Sequence, residues 1–198
     1  MSSNELPLRT NNYNALADSQ RYRECIFEWL TAHAPLWNQI NYRRRQAYFD
    51  PEEDVWDAEY DDLYDDYAPV LGKASCQTVA RKNSKAWRAF FENLEKYEDE
   101  NDQSITDKPS PPSYWGNRDD GYKLHGLVRN DSYDFDWGED KSTLEFGVGK
   151  ALKEKYDLGG NELITLEVRG NPQWSGDDSR LEIIYDELAD VFRVKHPV

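Results

Sequence analysis

Cysteine is nearly absent from this sequence: Cys25 and Cys76 are the only two in 198 residues. They lie far apart with no metal-type spacing, which argues against a zinc ribbon and for two reduced thiols. His33, His125 and His196 are equally scattered. No nucleophile or acid–base set can be assembled around them, so neither catalysis nor a metal or other cofactor is expected. Long apolar runs are missing too, and no stretch approaches the roughly 20 residues a bilayer demands. Residues 1–9 show no charged-then-apolar signal pattern. A cytoplasmic protein without membrane contact is the expectation. Positive charge is also scarce, with 24 Lys and Arg against 39 Asp and Glu and a formal net charge of -15. Gripping a polyanion takes cations. Either the partner is not nucleic acid, or the solvent is salty and excess carboxylates on the general surface serve solubility. How the charge is distributed separates these readings better than its sum.

What is present is enough for a core. A hydrophobic content of 38% with 14% aromatic residues argues for a folded chain, and the length suits one large or two small domains. Residues 1–15 read as an extended lead-in, since Pro7 and the asparagines near Tyr13 oppose a helix. A long helix starts near Asp18 or Ser19, either a suitable cap. Tyr22, Ile26, Leu30, Trp37 and Ile40 form its apolar stripe, and Pro35 predicts a kink or break. Beyond it, residues 36–49 carry Arg43, Arg44 and Arg45 with no acid.

Residues 50–66 are the opposite, rich in Asp and Glu with no Lys or Arg. Their spacing fits no calcium loop. A solvated acidic loop with a short helix is expected, pinned by Trp56, Tyr60, Leu63, Tyr64 and Tyr67. Then comes a second basic island, residues 75–91, read as a helix capped by Ser75. One face is apolar, through Val79, Ala80, Ala86, Trp87, Phe90 and Phe91 to Leu94. The other holds Gln77, Arg81, Lys82, Asn83, Lys85 and Arg88, again with no acid. Residues 101–121 read as a Pro-rich linker. After it the period changes. Residues 122–130, 132–137, 143–148, 163–169, 180–186 and 190–195 read as strands, with helical turns at 150–156. Many short strands predict a small barrel rather than an open sheet, and the class is α+β.

The cations of the two islands suit phosphate contacts, which position without specifying. Arg43, Arg44 and Arg45 point around their helix and could clamp an RNA backbone. Arg81, Lys82, Lys85 and Arg88 could do the same, or form an ordinary solvated face. Trp37, Trp87, Phe90 and Phe91 are read as packing between the two helices rather than base stacking. Gln77 carries an amide able to make paired hydrogen bonds to an adenine edge in the major groove.

These residues also carry a resemblance. Trp37-Asn38, then Arg43-Arg44 five residues on, then Tyr48, followed in the next helix by Gln77 and thirteen residues later Phe90-Phe91, resemble the pattern of the TnpB family. These are transposon-encoded OrfB proteins ancestral to the type V CRISPR effectors. Residues 36–49, 81–91 and 108–118 look especially like the family's halophilic archaeal branch, which would account for the acidity. The resemblance implies a wedge-type β-barrel with an inserted helical recognition domain. The division would be 1–12 as a lead-in strand of the barrel, 13–115 as the helical unit with its acidic loop at 50–66, and 116–198 as the barrel. It implies guide RNA and duplex DNA as partners, with Gln77, Lys73 and Asn130 at positions that contact a DNA motif beside the target. Asn130 would lie in a strand. The family's RuvC-like nuclease would begin about where residues 196–198 end this sequence, so this chain is expected to bind without cutting, serving a nuclease domain encoded separately. The competing expectation is a regulatory or interaction protein, or a decayed transposon relic, without nucleic-acid affinity.

Overall fold

The computed structural model of the protein describes residues 9–99, 104–177 and 179–198. The first eight residues of the expected lead-in, residues 101–103 of the expected linker, and Glu100 and Asp178 lie outside them. Strand β1 runs Thr10–Ala17 and leads into helix α1, Gln20–Phe49. Of the two candidate caps, Ser19 is the one that acts: its Oγ accepts from the Tyr22 N–H at 3.2 Å. Of the kink or break expected at Pro35, the break does not occur: α1 runs through it for 30 residues. The proline costs about 3 kcal/mol. Leu30, Leu36 and Ile40 around it are fully buried and each contributes about 1.5–3 kcal/mol, so packing on both sides outweighs the missing bond.

Two helices follow, α2 (Asp62–Leu71) and α3 (Lys73–Glu98), with Gly72 alone between them. Gly72 sits at φ +82, which a glycine adopts without the usual steric cost. It ends α2 through its N–H to the Ala68 carbonyl at 2.9 Å and begins α3 by accepting from Cys76 N at 3.2 Å. The cap is therefore Gly72 and not Ser75, which lies buried inside the first turns of α3. The apolar face of α3 divides between two clusters. Cys76, Val79 and Ala80 join the main core, whereas Trp87 and Phe90 enclose Val55 with Tyr48, Phe91 and Leu94 packed around them.

The acidic loop is exposed, as its charge requires, and its aspartates serve its own turns: Asp50 accepts from Glu52 N and Asp54 from Trp56 N, both at 2.9 Å. Its anchors are Val55 and Leu63, both buried, with Tyr60, Tyr64 and Tyr67 partly buried against the core. Trp56, expected to be one of them, remains 43% exposed.

The rest of the chain forms a hairpin of β2 (Gly116–Asn117) and β3 (Gly121–Tyr122), then β4 (His125–Val128), β5 (Tyr133–Trp137), β6 (Ser142–Phe146), α4 (Lys150–Lys155), β7 (Ile164–Arg169), β8 (Leu181–Asp186) and β9 (Val191–Pro197). Seven strands pair antiparallel throughout in the order β4-β8-β9-β1-β7-β6-β5. The first strand is thus the central one, with Tyr13 opposite Val194 and Ala15 opposite Val168. The α+β class holds, but the expected barrel does not close. Among the described residues β4 and β5 are the two edges of an open sheet. A physical reason is visible at β4. The Leu127 N–H, which a closing strand would need, donates instead to Nε2 of His33 on α1 at 3.1 Å. At the other edge, Asp134 and Asp136 alternate along β5 and face solvent, the kind of charge that discourages further pairing. The sheet nonetheless curls. Tyr13 meets Phe135 and Trp137 across two intervening strands at 5.7 and 5.4 Å, and the Tyr133 hydroxyl donates to the Ser179 carbonyl at 2.9 Å.

Helices and sheet share a core, in which Ile26, Leu30 and Trp37 of α1 and Val79 of α3 join Phe146, Leu166, Ile183 and Phe192 of the sheet. Gly126 on β4 allows the closest approach. A Cβ there would stand 2.1 Å from the ring of Trp29.

Candidate nucleic-acid interface

Helix α3 offers one acid-free polar face. Lys73, Gln77, Arg81, Lys85 and Arg88 follow one another at helical spacings of three and four residues, so they lie on one side, and all five are exposed. The next residue on that side is an acid, Glu92. The opposite side is anchored by Val79, Trp87 and Phe90. The stripe thus rests on a helix whose rotation is fixed by packing.

At its start the stripe borders a cleft of about 610 Å³ between α2 and α3, lined by Asp61, Tyr64, Asp65, Ala68, Pro69, Lys73 and Gln77. Burial pushes the Tyr64 hydroxyl up to about 12, so it stays a neutral donor. The aspartates on the α2 wall would repel phosphate, so the outer side of α3 is the less repulsive of the two surfaces. On the other flank Arg129, just past β4, donates from Nη1 to Oε1 of Gln77 at 3.1 Å. The sequence alone does not single out this arginine, because nothing local links residues 52 positions apart. Asn130 follows it in an exposed turn, not in a strand as expected, because β4 ends at Val128 and the Ser132 N–H closes the turn onto the Arg129 carbonyl at 3.0 Å. Lys73, Gln77 and the Arg129-Asn130 turn therefore form one surface.

The first basic island is arranged differently. Arg44 is only 3% exposed. It donates to Asn83 Oδ1 at 2.8 Å, to Ser84 Oγ at 2.9 Å and to the Tyr60 hydroxyl at 3.3 Å, which joins α1 to α3. Burial lowers its pKa, yet it has no route to a phosphate, and the RNA-clamping role expected of it gives way to packing. Arg43 forks onto Asp62 at 2.5 and 2.7 Å and donates to the Glu59 carbonyl at 2.9 Å. Arg45 donates to the Pro112 carbonyl at 3.2 Å and lies over Tyr114 at 5.6 Å. The three do point around the helix, and each meets the protein's own acceptors.

Lys82 also departs from expectation. It faces the sheet and pairs with Glu182 of β8, which also accepts from Arg180 at 3.1 Å and meets His125 Nε2 at 3.0 Å. Burial lowers the Lys82 and His125 pKa values, with Glu182 opposing in both. Burial alone would raise Glu182, but the bonds from His125 and Lys82 reverse that and hold its carboxyl well below the usual range. The His125 ring stacks on Trp115 at 4.8 Å, and Trp115 stacks on Trp37 at 4.4 Å. Lys82 thus orients α3 against the sheet, and Arg81, Lys85 and Arg88 remain on the outer side.

The Trp37-Asn38 pair gains a structural meaning. Trp37 Nε1 donates to the Ser113 carbonyl at 3.0 Å, and Asn38 accepts from Trp115 N at 2.7 Å while donating to the Gly116 carbonyl at 2.9 Å. Asn41 adds a bond to the Pro112 carbonyl at 2.8 Å. Residues 112–116 of the expected linker are strapped along α1. His33 bridges α1 and β4. Its Nδ1 donates to the Trp29 carbonyl at 2.8 Å while Nε2 accepts from Leu127 N, which requires the neutral ring. Among the described residues no group of three or more His, Cys, Asp or Glu side chains is placed to hold a metal ion, and no helix is long and apolar enough to cross a membrane.

No family model matches the chain. Over 167 residues, 83% of the chain, it is 32% identical to the TnpB-like protein ORF457 of Acidianus two-tailed virus. The chain spans about a third of the length of that relative, 33%.

Proposed function

We propose that the chain is a TnpB-family nucleic-acid-binding module that holds a structured guide RNA and docks duplex DNA through the outer face of α3. The similarity to a TnpB-like protein supports the family and a transposon-associated, nucleic-acid-related role. The observation that carries the binding surface is the exposed run of Lys73, Gln77, Arg81, Lys85 and Arg88 in a chain of net charge -15. Like charges at these spacings repel one another by a few tenths of a kcal/mol per pair (about 0.2–0.5), and the run adds local attraction for phosphate. In this reading Lys73, Arg81, Lys85 and Arg88 position the duplex, while Gln77 and the Arg129-Asn130 turn face base edges. Arg45 and the exposed part of Arg43 are left for RNA. These residues bind and do not cut; cleavage belongs to a RuvC-like nuclease acting with them. No cofactor takes part, and the setting is cytoplasmic and halophilic.

The test is retention of transposon-end RNA and of duplex DNA by the purified protein in dilute and in molar KCl. Retention of both is expected in dilute salt and, more weakly, in molar KCl, with a fall of about -0.9 in log K per log salt for each duplex phosphate neutralised. No retention at either salt overturns the proposal. One observation favours a second reading, an interaction protein without nucleic-acid affinity. Arg43, Arg44 and Lys82, three cations counted toward binding, are engaged by the protein's own groups.

A further inference from the structure

Arg129 and Gln77 form one donor unit, and from that geometry we infer that this face reads a guanine, with Arg129 as the specificity-determining residue. The inference rests on the reading of α3 as a duplex-docking surface and goes beyond it by naming the base.

A lone glutamine suits adenine, because its amide offers one acceptor and one donor to match N6 and N7. In this protein the amide is not alone. Arg129 Nη1 donates to Gln77 Oε1 at 3.1 Å. A guanidinium only donates, so the amide atom facing it is oxygen, and the Gln77 NH2 group is turned away from it. The guanidinium is held from a second side, where Nε donates to Asp131 Oδ1 at 2.5 Å. Asp131 is itself fixed by the Ser132 hydroxyl at 3.0 Å, within the turn that Ser132 N closes onto the Arg129 carbonyl. Two of the arginine's five N–H groups are thereby used to set its plane, and those remaining on Nη1 and Nη2 are available to a ligand.

The outward-facing groups of the pair are thus donors beside donors. Guanine presents two acceptors, O6 and N7, in the major groove and matches them. Adenine would set its N6 donor against a cation, and cytosine offers only a donor there. Lys73 precedes Gln77 by four residues and Arg81 follows it by four, on the same side of α3, so phosphates on either side of the read base have partners.

The experiment uses the 198-residue protein and a duplex DNA pool with a randomised window, selected in dilute KCl. Wild type is expected to enrich guanine at one position by roughly tenfold or more. Arg129→Ala should lose that enrichment. Arg129→Lys keeps the charge but not the planar fork, so it should retain total duplex affinity with a weakened guanine preference, whereas a purely electrostatic role would leave the preference unchanged. Thermal melting of each variant confirms folding. Enrichment of adenine by wild type, unchanged in either variant, overturns the inference and leaves duplex docking standing, as does retention without preference at any position. Failure to retain any duplex overturns the docking proposal and this inference with it.

Discussion

Two runs of cations, Arg43–Arg45 on α1 and Arg81–Arg88 on α3, look alike in the sequence and have opposite fates in the fold. Arg44 is buried between Asn83, Ser84 and Tyr60, and Arg43 is spent on Asp62. On α3 it is Lys82 that turns inward to Glu182, while Arg81, Lys85 and Arg88 stay outside. The difference follows from which face of each helix meets another element. α1 is covered by α2, α3, the strapped segment 112–116 and the sheet, so three consecutive arginines cannot all escape cover. α3 packs on one side and leaves the other open. A basic island reports a partner only where its spacing keeps it on a free face.

The largest expected effect tests the inward half of this comparison. Arg44→Ala should destabilise the fold by about 2–4 kcal/mol, because it empties a buried site and strands the Asn83 and Ser84 acceptors. The denaturation midpoint measures it. Arg43→Ala removes a surface pair and should shift that midpoint far less. Equal effects would break the distinction between buried and surface arginine.

A second test concerns another inward polar group of α1. Burial holds His33 down to about 4 from its ordinary 6.5, as the largest cause, with like-charge repulsion from His125 adding and the Trp29 and Leu127 bonds opposing. Between those values the unfolded chain binds a proton that the folded chain refuses. Stability is therefore full above pH 6.5 and falls as the pH drops to about 4. At about 1.4 kcal/mol per unit the loss reaches roughly 3.5 kcal/mol. His33→Gln should be less stable at neutral pH and should flatten that slope. A wild-type midpoint indifferent to pH across the window would contradict the neutral bridge between α1 and β4. The smallest stability effect belongs to the outer face: Arg81→Ala, Lys85→Ala and Arg88→Ala should each change stability by about 0.5 kcal/mol or less.

Local pattern made much of this fold legible. The Ser19 cap, the stripe through Ile26 and Leu30, the packing of Trp87 and Phe90, and the strand at 164–169 all follow from periodicity within one element. What escaped was non-local. The open sheet depends on one histidine on α1 taking the Leu127 N–H at β4 and on the exposed carboxylates of β5. Pro35 was carried by burial on both sides of it. The inward turn of Lys82 depends on Glu182, a hundred residues away, and Gln77 has a partner that only the fold brings near. The site was half visible, in that composition marked the α3 face and topology supplied Arg129.

The central claim is that the outer face of α3 binds nucleic acid while the arginines of α1 chiefly hold the fold. The most direct measurement is the salt dependence of duplex binding for wild type and for the triple variant Arg81→Ala, Lys85→Ala, Arg88→Ala. The account predicts weaker binding at every sequence, a slope reduced by about 0.9 for each phosphate no longer neutralised and an unchanged melting temperature. An identical slope and affinity in a folded triple variant would contradict it.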